Sequence, residues 1–339
     1  LDTANAQAVT AGTPVSDVLA PGSETRMYRF DAAAGDRFYF DVLSYQNGDS
    51  YWRLINPRGD QVFFTNVYND VDVTTLTVPG TYLLFVEGRR YQSESINAFS
   101  FNVQPVMDDV AALSVGATVS GAIDHPGQTD RYTFSLLDAK QLYFDSLTDN
   151  GNFTWSLSGP HGTVVSSRNF IYSDSAYLGG NPVLGLAAGD YTLTVDVSGD
   201  LTGAYSFRLL DLSAATPLTP GTVVSGQLDP ANETDLYKFD AIAGERYYFD
   251  QQTLSGGATY WRVLDPNGQV VFGPNYLSDV DTTTLTTTGT YSLLVEGVYY
   301  AAGTSNYSFN VQKVVDDAAV LTLGARVDGT IDPVGQVDR

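Results

Sequence analysis

Asp130-Arg131-Tyr132-Thr133-Phe134-Ser135-Leu136, followed after a short turn by Leu142-Tyr143-Phe144-Asp145, is the stretch on which the fold turns. Tyr132, Phe134 and Leu136 alternate with Arg131, Thr133 and Ser135, the period-two pattern of a strand that buries one face. The same pair of strands is written twice more. Tyr28-Arg29-Phe30 lies 104 residues before Tyr132-Thr133-Phe134, and Tyr237-Lys238-Phe239 lies 105 residues after it. Tyr39-Phe40-Asp41 and Tyr248-Phe249-Asp250 stand at the same spacings from Tyr143-Phe144-Asp145. A repeat of this length outranks any local motif.

Working outward, each copy continues with Trp52, Trp155 or Trp261, then with a Pro-x-Gly turn at Pro57, Pro160 or Pro266, and closes with Gly-x-Tyr at Gly80, Gly189 or Gly289. Tyr51-Trp52-Arg53, Asp70-Val71-Asp72 and Val86-Glu87-Gly88 recur only in the third copy, as 260–262, 279–281 and 295–297. Asp316-Asp317 through Asp332 to Asp338-Arg339 instead matches the second copy. The order is therefore A-B-A-B: repeat A1 over 1–106, B1 over 107–212, A2 over 213–315, and the truncated start of B2 over 316–339. Short alternating strands punctuated by Gly, Pro, Asn and Asp predict an all-β chain of tandem antiparallel β-sandwich, jelly-roll-like domains, three complete and a fourth begun. The B copy carries six extra residues between its Pro-x-Gly turn and its Gly-x-Tyr, around Ser173 to Pro182, expected to enlarge a loop.

Composition narrows the function. The 339 residues carry 17 Lys+Arg against 39 Asp+Glu, a net charge of −22. Such a surface repels a phosphate backbone, so nucleic acid is excluded as a partner. No apolar run reaches the ~18 residues of a membrane span, which predicts no membrane insertion. With no cysteine, disulfides and thiolate chemistry are absent. Histidine is limited to His125 and His161, each beside a proline in a turn and neither near a second histidine. A histidine-based catalytic constellation is not available, and no enzymatic activity is expected.

The order Gly, Asp-x-Tyr-x-Phe, Gly-x-x-x-Tyr-Phe, Pro-x-Gly, Gly-Thr-Tyr-x-Leu-x-Val resembles the bacterial pre-peptidase C-terminal domain. Asp130 to Phe134, Asp235 to Phe239 and Gly289 to Val295 carry the likeness. The resemblance implies a small jelly-roll-like sandwich attached to secreted proteases and surface proteins, sometimes calcium-binding and sometimes engaged with matrix or polysaccharide. Copy one departs from it at Arg26, where the Asp would stand, and copy two at Asp138-Ala139-Lys140, where the others have Ala-Gly.

The residue candidates follow from these patterns. Trp52, Trp155 and Trp261 each precede an apolar residue by two positions and belong to the core instead of to a sugar-stacking surface. Tyr51 and Arg53, with Tyr260 and Arg262, point the other way; they are ligand candidates, against which stand cross-strand packing and contact with a neighbouring domain. Asp-x5-Asp frames (Asp124 and Asp130, Asp229 and Asp235, Asp332 and Asp338) and the pairs Asp70 with Asp72 and Asp279 with Asp281 are candidate calcium ligands, against which stands turn capping. The expected role is that of a non-catalytic stalk, spacer or adhesion segment in a large extracellular bacterial protein, secreted or cell-surface, its partners being neighbouring domains of the same chain. The alternative is an accessory module of a secreted hydrolase that binds polysaccharide or extracellular matrix protein.

Overall fold

The computed structural model describes residues 3–337 apart from 47, 179, 321, 325 and 333. Copy one forms two sheets. Gln7–Ala8, Thr25–Ala32, Gly80–Glu87, Tyr51–Ile55 and Gln61–Asn66 make the first, and Val15–Leu19, Asn97–Pro105, Arg37–Gln46 and Val71–Thr75 the second, in those spatial orders. Copy three repeats both orders, with Thr216–Pro217, Thr234–Ala241, Gly289–Gly297, Thr259–Leu264 and Val270–Tyr276 in one sheet and Val224–Leu228, Ser305–Val314, Arg246–Ser255 and Val280–Thr284 in the other. Copy two uses the same topology, around the central strands Gly189–Val197 and Lys140–Ser146. The chain is all-β, built of repeated sandwich-like units.

One detail departs from a purely antiparallel sandwich. Gln7–Ala8 pairs in parallel with Thr25–Ala32, Gln7 opposite Tyr28, and Thr216–Pro217 does the same with Thr234–Ala241. Between these paired strands the chain crosses to the other sheet as Val15–Leu19 or Val224–Leu228, and that excursion lets it return in the same direction.

The core follows from the alternation. Phe38, Phe40, Trp52, Leu54, Leu84, Val86, Phe99 and Phe101 are buried together in copy one, and their counterparts around Phe249, Trp261 and Phe309 in copy three. All three tryptophans are wholly buried. Copy two packs its own differently: Phe144 lies flat on Trp155, with centroids 4.0 Å apart and planes at 6°. The indole Nε1 of Trp155 donates to Ser173 Oγ at 2.7 Å, whereas those of Trp52 and Trp261 have no hydrogen-bond partner among the described residues.

Ser173 belongs to the six-residue extension of copy two, which is not the surface loop that the sequence suggests. The chain there makes two 3-10 turns, Phe170–Tyr172 and Ser175–Tyr177. Phe170 enters the core, and Ser173, Asp174 and Ser175 are all buried. The first turn is capped by Asn169, whose side-chain oxygen accepts from Ile171 N at 3.0 Å.

The contacts divide the chain into two compact units. One runs to Val110 and takes in Ala122–Arg131 and Asp196–Gly203; the other holds Ala111–Gly121, Tyr132–Val195 and the chain from Ala204 onward. From Asp316 onward no strand occurs among the described residues.

Trp155→Ala is expected to remove a buried ring and the hydrogen bond it donates to Ser173, a loss of about 3–5 kcal/mol. Melting followed by near-ultraviolet circular dichroism should show a transition lowered by roughly 10 °C or more. An unchanged transition would mean that Trp155 is not a core residue.

Candidate functional site

The Asp-x5-Asp turns close in a way the sequence does not announce. In every copy the backbone N–H of the first frame position donates to the side chain four residues on. Ala20 N reaches Glu24 at 3.3 Å, Asp124 N reaches Gln128 at 2.8 Å, Asp229 N reaches Glu233 at 2.9 Å and Asp332 N reaches Gln336 at 2.6 Å. The first carboxylates, Asp124 and Asp229, are left exposed. The second are used internally: Asp130 accepts from Gln128 Nε2 at 2.7 Å, and Asp235 accepts from the Tyr307 hydroxyl at 2.6 Å. Copy one has Arg26 at the second position and Phe99 where copy three has Tyr307, and there Tyr28 OH donates to Asp17 at 2.8 Å. Asp338 lies outside the described residues.

The second set of acidic candidates separates into two roles. Asp70 Oδ1 accepts from Val42 N at 2.8 Å, and Asp279 Oδ1 accepts from Gln251 N at 2.9 Å, each stapling a bulged strand. Asp72 and Asp281 accept from the N–H of the next residue at 2.6 Å. Asp70 does not act with Asp72; its carboxylate faces Asp41 and Asp200 instead.

The Tyr and Arg candidates also part company. In copy one Arg53 makes a two-pronged contact with Glu87, at 3.1 and 3.2 Å, on a partly exposed face. Tyr51 stacks on Phe64 with centroids 4.8 Å apart, and the Arg89 guanidinium sits 3.6 Å from its ring centre. That ring is therefore engaged by two neighbouring side chains. Tyr260 meets Tyr276 edge to face. Arg262, expected on an outward surface, is wholly buried.

Arg262 is the centre of a joint between copies two and three, within the second compact unit. Its Nε donates to Glu296 Oε2 at 2.8 Å, and its Nη2 donates to the carbonyl of Ser175 at 2.6 Å. The hydroxyl of Tyr143 donates to the other oxygen, Glu296 Oε1, at 2.7 Å. Arg262 and Glu296 both have 0% side-chain exposure, against 33% and 30% for the matching Arg53 and Glu87. Beside them Tyr143, Leu212, Leu264 and Leu294 form an apolar contact. A second ion cluster borders the first: Arg208 binds Asp145 through Nε at 2.7 Å, Glu233 through Nη1 at 3.0 Å and the Thr234 carbonyl through Nη2 at 2.9 Å.

Acids outnumber bases in this joint, and burial decides their protonation. Asp174 is held well above the usual carboxylate range by burial and then by Asp145, although Ser146 N donates to it. Asp145 is pushed up by burial against the opposing pull of Arg208. Burial and then Glu296 raise the Tyr143 phenol well above its ordinary value, keeping it a donor. The signals available in sequence were the A-only Tyr-Trp-Arg and Val-Glu-Gly motifs; Tyr143 and the B-copy extension carried none that pointed to them.

No family model matches the chain, and no curated protein matches it. Among solved structures, the CUB1-EGF-CUB2 domains of rat MASP-1 are similar at 8% identity over 61% of this chain and 99% of that one, with a TM-score of 0.20. A DUF4785 family protein of Legionella pneumophila is similar at 10% identity over 88% of this chain and 79% of that one, with a TM-score of 0.16. Likeness at this level carries no inference about fold or activity. Among the described residues no helix is long and apolar enough to cross a membrane.

Two outcomes test the joint. Glu296→Gln strands a buried guanidinium and should cost about 3–5 kcal/mol, whereas Glu87→Gln on the exposed counterpart should cost no more than about 1 kcal/mol. Chemical denaturation of both variants measures the contrast, and equal effects would refute the burial argument. For Asp174 the folded-state value is raised, so the folded chain binds the extra proton and loses stability as pH climbs above about 4, where the unfolded carboxyl ionises. Asp174→Asn removes that loss. Its melting temperature should exceed that of the wild type at pH 8 and approach it at pH 4, the gap growing by at most about 1.4 kcal/mol per pH unit.

Proposed function

We propose that this chain is a non-catalytic spacer segment of a large bacterial protein that is secreted or displayed at the cell surface. Its sandwiches, similar to the pre-peptidase C-terminal domain, would include a pair, copies two and three, fixed by a buried joint. The observation that carries this is the Arg262–Glu296 pair, wholly buried and completed by Tyr143 and the Ser175 carbonyl of the preceding copy. A flexible linker would leave such groups in water. Burying an ion pair seldom adds net stability, but once formed it penalises every arrangement that separates the partners. The absence of cysteine, a net charge of −22 and the tandem repetition support an extracellular setting for a chain whose work is reach and spacing.

The lack of cysteine makes a direct test simple. Leu137→Cys in copy two and Ile242→Cys in copy three, both at exposed positions, place one spin label on each side of the joint. Electron–electron distance measurement should give one narrow distribution, which broadens when Glu296→Ala is added. A broad distribution in the otherwise unaltered chain would reject a fixed joint. A glycan and collagen screen answers the competing assignment: binding that Tyr51→Ala abolishes would move copy one from spacer to adhesive module.

A further inference from the structure

Three carboxylates meet within the first compact unit. Asp41 comes from the strand Arg37–Gln46, Asp70 immediately precedes the strand Val71–Thr75, and Asp200 lies in the loop before the strand Gly203–Asp211. One oxygen from each lies within 4.8 Å of the other two. Exposed acidic groups often cluster without a ligand, and Asp70 and Asp200 are exposed. Asp41 is not: only 8% of it reaches solvent, and among the described residues no hydrogen-bond donor serves its carboxylate.

Copy three supplies the comparison. Asp250, at the place of Asp41, accepts from Gln252 Nε2 at 3.2 Å and from Gln312 Nε2 at 3.1 Å. In copy one the counterpart of Gln312 is Gln104, and its amide turns away to donate to the Pro105 carbonyl at 3.0 Å. Directly across the ladder from Asp41 stands Asn102, 8% exposed, whose Oδ1 is buried without a partner. Asn310 repeats that amide in copy three, but no third carboxylate joins Asp250 and Asp279 there among the described residues. The nearest guanidinium on the same strand, Arg37, is committed to Asp108. Burial, and then Asp70 and Asp200, push the Asp41 carboxyl up to about 6.

We propose that Asp41, Asp70 and Asp200 bind one calcium ion on the face that Asp41 shares with Asn102, its partner across the ladder. Hard oxygen donors of this kind suit Ca²⁺. At metal–oxygen distances of about 2.4 Å, two oxygens on one ion stand at most about 5 Å apart, which the cluster satisfies. Asp70 also borders a cleft of about 500 Å³ with Tyr39, Asp72, Gly127 and Thr129, from which water would complete the shell. The ion would tie the loop 198–202 to the sheet that carries Asp41. This inference does not depend on the spacer assignment.

Isothermal titration of the full chain, stripped with chelator and held at constant ionic strength, tests it with Ca²⁺ and Mg²⁺ in parallel. One saturable calcium site is expected. Asp41→Asn and Asp200→Asn should each weaken it by at least about tenfold, while Asp250→Asn and Asp229→Asn leave it unchanged. Asp200 sits on an exposed loop, so its variant decides the matter even if Asp41→Asn fails to fold. Absence of a saturable site, magnesium binding as tight as calcium, or calcium affinity untouched by Asp200→Asn would each overturn the proposal.

Discussion

Every strand of a sandwich has two faces, and its own core can use only one. In this chain the unused faces are not simply solvated. The outward side of copy three buries Arg262 and Glu296 against copy two, and the outward side of the sheet holding Asp41 is closed to solvent at Tyr39, Asp41 and Asn102. Because alternation fixes which residues look outward, any charge placed there must meet a partner supplied from elsewhere in the chain. The joint and the carboxylate cluster are two answers to that one demand.

The inward faces were legible and the outward ones were not. Tyr132-x-Phe134, Tyr143-Phe144 and Trp155 declare the core because alternation and repetition are local properties, readable within a few residues. Arg262 reads as an outward residue, which it is with respect to its own sheet; nothing nearby reveals that Ser175 and Tyr143 enclose it. Asp41 reads as part of a repeated structural motif, since Asp70 lies just ahead of another strand and Asp200 in a loop of another repeat. The turns show a further limit. Asp marks the frames in sequence, yet the residue that closes each turn is Glu24, Gln128, Glu233 or Gln336, whose side-chain oxygen works in either its acid or its amide form.

The extension in copy two shows how a short insertion can acquire several duties at once. Ser173 satisfies the indole of Trp155, Asp174 accepts from Ser146 N, and Ser175 presents its carbonyl to Arg262. Ser175 does so from the left-handed region, at φ 53°, a conformation that non-glycine residues hold only when their surroundings enforce it. Packing on both sides supplies that enforcement.

The Ser175 carbonyl also bears on how such a chain can grow. An A copy placed directly after another A copy would bring its arginine and glutamate to a neighbour that has neither this extension nor its carbonyl. Duplication by single copies would thus create a junction without this match, while duplication by the A-B pair preserves it. On the spacer reading, such a chain would lengthen by pairs rather than by single domains.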